Sequence, residues 1–224
     1  MLALIDADII CYRIGFASED DSEKIALYRA GEFMEELVMK PYVSDYKGFL
    51  TGSNNYRHEI AVTQPYKGNR KQPKPKHYEL LREYLVSAWS CEVSDGEEAD
   101  DVIGITAYSM DVEDYIIMSI DKDLDMIRGW HYNFIKDNKY LIDEREAILK
   151  FYTQCLTGDR VDNIPGLKGV GPKKAAKVLE GCNTEQEMYK AVLEAYDNNE
   201  EFLCENAKLL WIRRNKSQIW TPPK

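Results

Sequence analysis

The chain has 224 residues, 44% hydrophobic and 30% charged, with 13 Gly and 8 Pro, which excludes disordered, collagen-like and low-complexity chains and leaves one sizeable domain or a domain with a small appendage. Its net charge of −10, taken alone, argues against a polyanionic partner. No apolar run approaches the roughly 18 residues of a membrane span, the opening MLALIDADII carries acids where a signal peptide needs bases, and Cys11, Cys91, Cys155, Cys182 and Cys204 form no C-x-x-C pair, so a cytoplasmic protein with reduced thiols and no membrane partner is expected.

In chain order, the short apolar runs Leu2 to Ile5 and Tyr115 to Ile120 read as buried strands, each running into an aspartate, Asp6 and Asp121. Weaker strands are expected at Gly48 to Thr51, His58 to Thr63, His131 to Ile135 and Lys139 to Ile142, the last two joined by a turn at Asp137-Asn138. Helices are expected at Ser22 to Lys40, Lys76 to Trp89, Ala99 to Ser109 and Asp143 to Leu156. Alternating strands and helices predict an α/β layer around a mostly parallel sheet. Beyond Thr157 the pattern becomes helical (Lys173 to Leu179, Glu185 to Tyr196, Phe202 to Arg214) and ends in an extended tail from Ile219. A subdomain boundary is therefore placed near residue 157.

Charge is sorted into blocks. Pro65 to Arg82 holds six bases against one acid, Gly166 to Lys177 four lysines and no acid, and Glu92 to Asp101 six acids and no base. In an open α/β sheet ligands bind beyond the carboxyl ends of the strands, so Asp6, Asp121 and Asp123 meet if their strands are parallel neighbours. Glu98, Asp100 and Asp101 at a helix start, and Asp159 and Asp162 further on, add to the set. Capping boxes from Ser94 to Glu97 or from Asp95 to Glu98 would explain the glutamates without any chemistry. Gathered together, these acids would repel one another unless cations neutralised them, and an oxygen-only set without histidine favours Mg²⁺ or Mn²⁺ over zinc. A two-metal phosphate site is the leading chemical expectation.

The stretch Ile164 to Ala176 has three glycines around two apolar residues and then Pro172 at a helix start, a turn suited to close contact with an anion, with Lys173 and Lys174 beside it. The spacing of a P-loop is absent. Tyr66-Lys67-Gly68-Asn69-Arg70 offers two bases to phosphates and a ring to stack on a base.

These segments, in this order, resemble the 5′-nuclease family: flap endonucleases, the 5′ nuclease domains of bacterial DNA polymerases and, above all, phage 5′-to-3′ exonucleases. The resemblance rests on Leu4-Ile5-Asp6, Tyr66 to Arg70, Glu98-Ala99-Asp100-Asp101, Asp121-Lys122-Asp123-Leu124, and Gly158 to Gly171. It implies a PIN-like, mostly parallel central sheet flanked by helices over 1–157, with a helix-three-turn-helix DNA clamp and tail over 158–224. It makes Asp6, Glu98, Asp100, Asp101, Asp121, Asp123, Asp159 and Asp162 the carboxylates of a site for two Mg²⁺ (or Mn²⁺) ions. Lys67 and Arg70 match the residues at the scissile phosphate. Tyr66, Lys168, Gly169, Gly171, Lys173 and Lys174 join Lys67 and Arg70 as DNA contacts, and carbonyls of the glycine turn match those that hold K⁺ in relatives.

The chain departs from the pattern at one point. Where many relatives carry another acid after the second strand, it reads Leu50-Thr51-Gly52-Ser53-Asn54-Asn55. The segment between Asn69 and Trp89 is also short for a threading arch. The resulting expectation is a Mg²⁺-dependent 5′ nuclease acting on DNA, with RNA in RNA–DNA hybrids as a further substrate class. The rival readings are a PIN-like ribonuclease and a catalytically silent structure-specific DNA-binding protein.

Overall fold

A computed structural model describes residues 1–224. The first strand, β1 (Leu2–Asp6), faces apolar layers on both sides, Ala3 and Ile5 packing into one core cluster and Leu4 into the other. That two-sided burial accounts for its unbroken hydrophobic run. Asp6 then caps α1 (Ala7–Ala17) by accepting the Ile9 N–H. The sequence patterns left this helix unassigned; it begins directly after the last residue of the strand, with no linker between them.

The chain proceeds through α2 (Glu23–Val38) and β2 (Asp45–Leu50) to α3 (Arg57–Ile60). It continues with α4 (Tyr78–Trp89), β3 (Glu92–Val93), α5 (Ala99–Tyr108) and β4 (Tyr115–Met118). A 3₁₀ turn at Asp123–Met126 leads into the hairpin β5 (Gly129–Asn133) and β6 (Asn138–Ile142). The expected strand over 58–63 is instead the short helix α3 and a loop. Arg57 overrides the local alternation, because its guanidinium is drawn into the interior onto Asp101.

The sheet order is β3-β2-β1-β4-β5-β6, with every pair parallel except the β5–β6 hairpin. β1 and β4 are neighbours in register, Ile5 opposite Met118, so Asp6 and the Ser119–Asp123 segment leave the sheet at the same edge. The predicted parallel juxtaposition of the two strand-end acids is thus present.

Helix α6 (Glu144–Thr157) begins on an Asp143 capping box and leads into a two-stranded ribbon, β7 (Gly158–Asp159) and β8 (Ile164–Pro165). Three helices follow, α7 (Pro172–Val178), α8 (Glu185–Ala195) and α9 (Glu200–Leu210). α9 ends at Leu210, short of the expected Arg214, because Trp211 turns extended and Arg57 takes the Leu209 and Trp211 carbonyls. In the tail, Trp220 is buried against Phe151 and Tyr189. One apolar cluster runs from Leu4 and Phe49 through α5 and α6 to α9 and Trp220, crossing residue 157. All five cysteines are free, and no helix is long and apolar enough to cross a membrane.

Candidate active site

A cleft opens over the carboxyl ends of β1, β2 and β4, the place where an open parallel sheet offers its loops and helix starts to a ligand. It comprises two adjoining cavities of about 610 and 870 Å³, both lined by Lys67, Arg70, Glu98, Asp100 and Asp121. Asp6 and Asp8 line the first; Asp123, Asp159 and Asp162 line the second.

Asp6 is almost fully buried and oriented by Ser119, whose hydroxyl donates to it at 2.8 Å. Burial, together with the charges of Asp8 and Asp121, pushes its carboxyl up to about 7. Asp123 opens the 3₁₀ turn and accepts the Gln154 amide at 3.0 Å, and burial with the charges of Asp121 and Asp159 raises it to about 7 as well. Asp121 accepts the Asp123 N–H at 2.8 Å. Asp159 accepts the Val161 N–H at 2.6 Å, which fixes the loop between β7 and β8. Asp100 is raised well above the carboxylate range by burial and then by Asp6, Asp121 and Glu98, with Lys67 opposing them.

Bases stand among these acids. The backbone of Lys67 lies in the left-handed region (φ 56°), and its ammonium bonds Glu98 and lies 3.6 Å from Asp162. Arg70 bonds Asp162 at 2.5 Å, with nearly half its side chain exposed. Glu98 is the N-cap of α5 and also accepts the Asn55 amide at 2.8 Å and the Tyr66 hydroxyl at 3.0 Å.

Two expectations are corrected here. Asp101 does not join the cleft: it is fully buried, paired through both oxygens with Arg57 at 2.5 and 2.9 Å, and accepts the Glu98 and Arg213 N–H groups. It forms a capping box with Glu98, so the helix cap lies later than the two pairings considered from sequence. Burial works against its charge, yet the guanidinium and these donors hold its carboxyl below the ordinary range. Tyr66, expected to stack on a base, is only 4% exposed, and its hydroxyl sits between Glu98 and Asp162. It positions acids and has no free face.

The remaining expected residues lie nearby. Lys168, Gly169, Gly171, Lys173 and Lys174 are all exposed in and after the turn, and Pro172 lines the second cavity. Only Gly169 needs left-handed backbone (φ 75°), whereas Gly166 is required because a Cβ would meet Gly158 N at 2.3 Å. The Lys174 ammonium lies 2.8 Å from the Gly169 carbonyl, so a resident cation already occupies one acceptor of the turn assigned by resemblance to K⁺.

Sequence reasoning missed Asp8, Arg82, Asn55 and Gln154. Asp8 was legible as the second acid of Asp6-Ala7-Asp8 and Arg82 as the last base of the 65–82 block, while Asn55 and Gln154 carried no signal before the fold brought them in. The end of β2 offers no acid: Leu50 is fully buried, the Thr51 hydroxyl accepts the Ala99 N–H, and a Cβ on Gly52 would fall 2.0 Å from the Ser94 carbonyl oxygen.

As the chain stands, no three carboxylates close around one point. The donor set nonetheless fits a hard divalent cation. It is oxygen-only, it crowds carboxylates that repel one another, and the Asp100 carboxylate receives no hydrogen bond from any protein donor.

No family model matches the sequence. The chain is 28% identical, over 96% of its length, to DNA polymerase I of Bacillus caldotenax, of which the match covers 28%. It is 25% identical to a 5′-3′ exonuclease of Buchnera aphidicola over 85% of this chain and 74% of that one. The chain spans about a quarter of the length of the bacillar polymerases it matches. Its fold matches the bacteriophage T5 D15 flap endonuclease, solved as a pseudo-enzyme–product complex with DNA and metal ions, with a TM-score of 0.70 and 18% identity over 93% of this chain and 88% of that one. In sequence the chain is thus similar to a 5′-3′ exonuclease and to part of these polymerases, and its fold is that of the T5 flap endonuclease.

Proposed function

We propose that the chain is a divalent-metal-dependent 5′ nuclease that hydrolyses phosphodiester bonds at or near the 5′ ends of DNA, with Mg²⁺ or Mn²⁺ as its metal. The observation that carries this reading is the convergence of Asp6, Asp100 and Asp121, from β1, α5 and the end of β4, in one cleft facing Lys67 and Arg70. Two ions suit the division of the acids, Asp6, Asp100 and Asp121 toward one cavity and Asp121, Asp123 and Asp159 toward the other. Bound there, divalent ions would supply Lewis-acid stabilisation of phosphoryl charge and a more acidic water.

The chain's own residues do the remaining work. Ser119 and Gln154 fix Asp6 and Asp123 in their orientations, as partners behind metal-holding groups do. Tyr66 and Asn55 hold Glu98. Lys67 and Arg70, tied in the free protein to Glu98 and Asp162, are donors that a phosphate can take over, which places positive charge where the phosphate develops negative charge. Residues 158–224 act as the duplex clamp, with Lys168, Lys173, Lys174 and Lys177 exposed along one stretch to meet backbone phosphates. In the free protein the Lys174 ammonium bonds the Gly169 carbonyl, and a phosphate that drew the lysine away would free that carbonyl. A cytoplasmic location accords with five free cysteines.

The silent-binding alternative draws its support from the acid-free end of β2. Incubation with Mg²⁺ of a 5′-labelled nicked duplex, a 5′ flap and an RNA–DNA hybrid tests the reading. Metal-dependent release of 5′ products from DNA is expected. Binding without cleavage would favour the silent protein, and cleavage of RNA alone a PIN-like ribonuclease.

A further inference from the structure

The end of β2 cannot carry an acid, because Leu50 is packed in the core, the Thr51 hydroxyl is committed to Ala99, and Gly52 has the Ser94 carbonyl where a Cβ would stand. A carboxylate nevertheless lies at that strand end. Asp8, one residue into the first turn of α1 beyond Ala7, points across to β2 and accepts the Thr51 N–H at 2.8 Å through one oxygen. Its other oxygen accepts Arg82 at 2.9 Å, and the same guanidinium donates to the Thr51 carbonyl at 2.8 Å. Asp8 lines the first cavity with Asp6, Asp100 and Asp121, and among the charges acting on Asp6 it is the foremost.

We infer that Asp8 supplies from α1 the carboxylate that β2 lacks, raising the cleft's affinity for a divalent cation, and that Arg82 is the resident cation which holds this carboxylate in place and competes with the metal for its charge. The inference rests on the divalent-metal reading above. An anchor whose only task was to hold Arg82 would have no need to face three other acids. A carboxylate that shares its charge with a divalent ion gains from a backbone N–H that fixes one oxygen while the other faces a displaceable partner.

The test is isothermal titration of Mn²⁺ into the DNA-free protein, comparing the parent with Asp8→Asn, Arg82→Gln and, as a reference for the site itself, Asp100→Asn, each checked for folding by its metal-free melt. Asp8→Asn should weaken Mn²⁺ binding by about 10-fold or more, while Arg82→Gln, with that competition removed, should bind more tightly than the parent. Parent-like binding by Asp8→Asn, or an Arg82→Gln loss equal to that of Asp8→Asn, overturns the inference and leaves Asp8 an anchor for Arg82. Should Asp8→Asn not fold, tighter binding by Arg82→Gln upholds the inference and any other result overturns it. Absence of Mn²⁺ binding by the parent would instead remove the metal-site reading on which the inference stands. Loss in Asp100→Asn without loss in Asp8→Asn leaves that reading intact and removes only the role of Asp8.

Discussion

Asp101 is the point at which family resemblance and geometry diverge, and replacing it by asparagine separates them. The substitution keeps one acceptor but removes the charge opposite Arg57, whose side chain is 3% exposed, and turns an amide donor toward guanidinium donors. Breaking a buried ion pair by removing one partner costs about 3–5 kcal/mol. With an unfolding entropy of about 2.1 cal/mol/K per residue, 224 residues give about 0.47 kcal/mol/K, so the metal-free melting temperature should fall by about 6–11 °C.

Mn²⁺ affinity of the folded fraction should change little, because the lost carboxylate faces α3 and the end of α9 and not the cleft. Thermal melts without metal and Mn²⁺ titration well below the melting temperature read the two effects separately. A companion Arg57→Met, Asp101→Leu double substitution should recover part of the stability by removing both charges; the Leu209 and Trp211 carbonyls, left without their donor, limit the recovery. A melting change under about 2 °C with a large loss of Mn²⁺ affinity would refute the structural assignment and return Asp101 to the metal set.

Asp123→Asn should lower the initial rate on a nicked duplex by about 100-fold or more while leaving duplex affinity within a few-fold, measured by end-label release and by a binding titration in Mg²⁺; a variant retaining most of its activity would sink the assignment of Asp123. Replacing Lys173 and Lys174 together by alanine should weaken all duplexes about equally and flatten the log K against log salt slope by up to ~0.9 for each phosphate that the protein no longer neutralises; an unchanged slope would mark both lysines as solvated bystanders. Glu205 ties α9 to the loop after α3 by accepting the Val62 and Thr63 N–H groups and the Thr63 hydroxyl; burial opposes its charge, but these donors hold its carboxyl below the ordinary 4.5. A depressed native value contributes stability above the unfolded value and loses it as pH falls through the native one, so Glu205→Gln should melt lower than the parent at pH 7 and converge with it once the pH falls below the native value; equal melts at pH 7 would refute the tie.

What was legible in the sequence divides along physical lines. Strands β1 and β4, buried on both faces, announced themselves as apolar runs, and their aspartates followed from the rule for parallel sheets. Helices α6 and α8, expected at Asp143 to Leu156 and Glu185 to Tyr196, were placed within a residue of their observed bounds. Patterning could not show where a side chain finds a partner far along the chain. Arg57 adjoins a stretch that reads as a strand, yet it meets Asp101, 44 residues away, and the carbonyls at the end of α9, so helix α3, the early stop of α9 and the burial of Asp101 all follow from one unpredicted pairing. Tyr66 belongs to the same class: its motif suggested a stacking ring, and the neighbouring acids claimed its hydroxyl instead.

The electrostatics of the cleft explain how an acidic chain can suit an anionic partner. Four of the six bases of 65–82, Lys67, Arg70, Lys74 and Arg82, line the first cavity together with the acids. In the free protein they are partly spent on those acids, Lys67 on Glu98, Arg70 on Asp162 and Arg82 on Asp8. A cation bound among the carboxylates would offset their charge, leaving Lys67 and Arg70 to turn toward a phosphate. Attraction for the backbone is then conditional on metal occupancy, because a bound cation reverses the sign of the local field. On this argument the proposed cation and phosphate sites share one cleft, and the net charge of −10 for the whole chain says little about the field there.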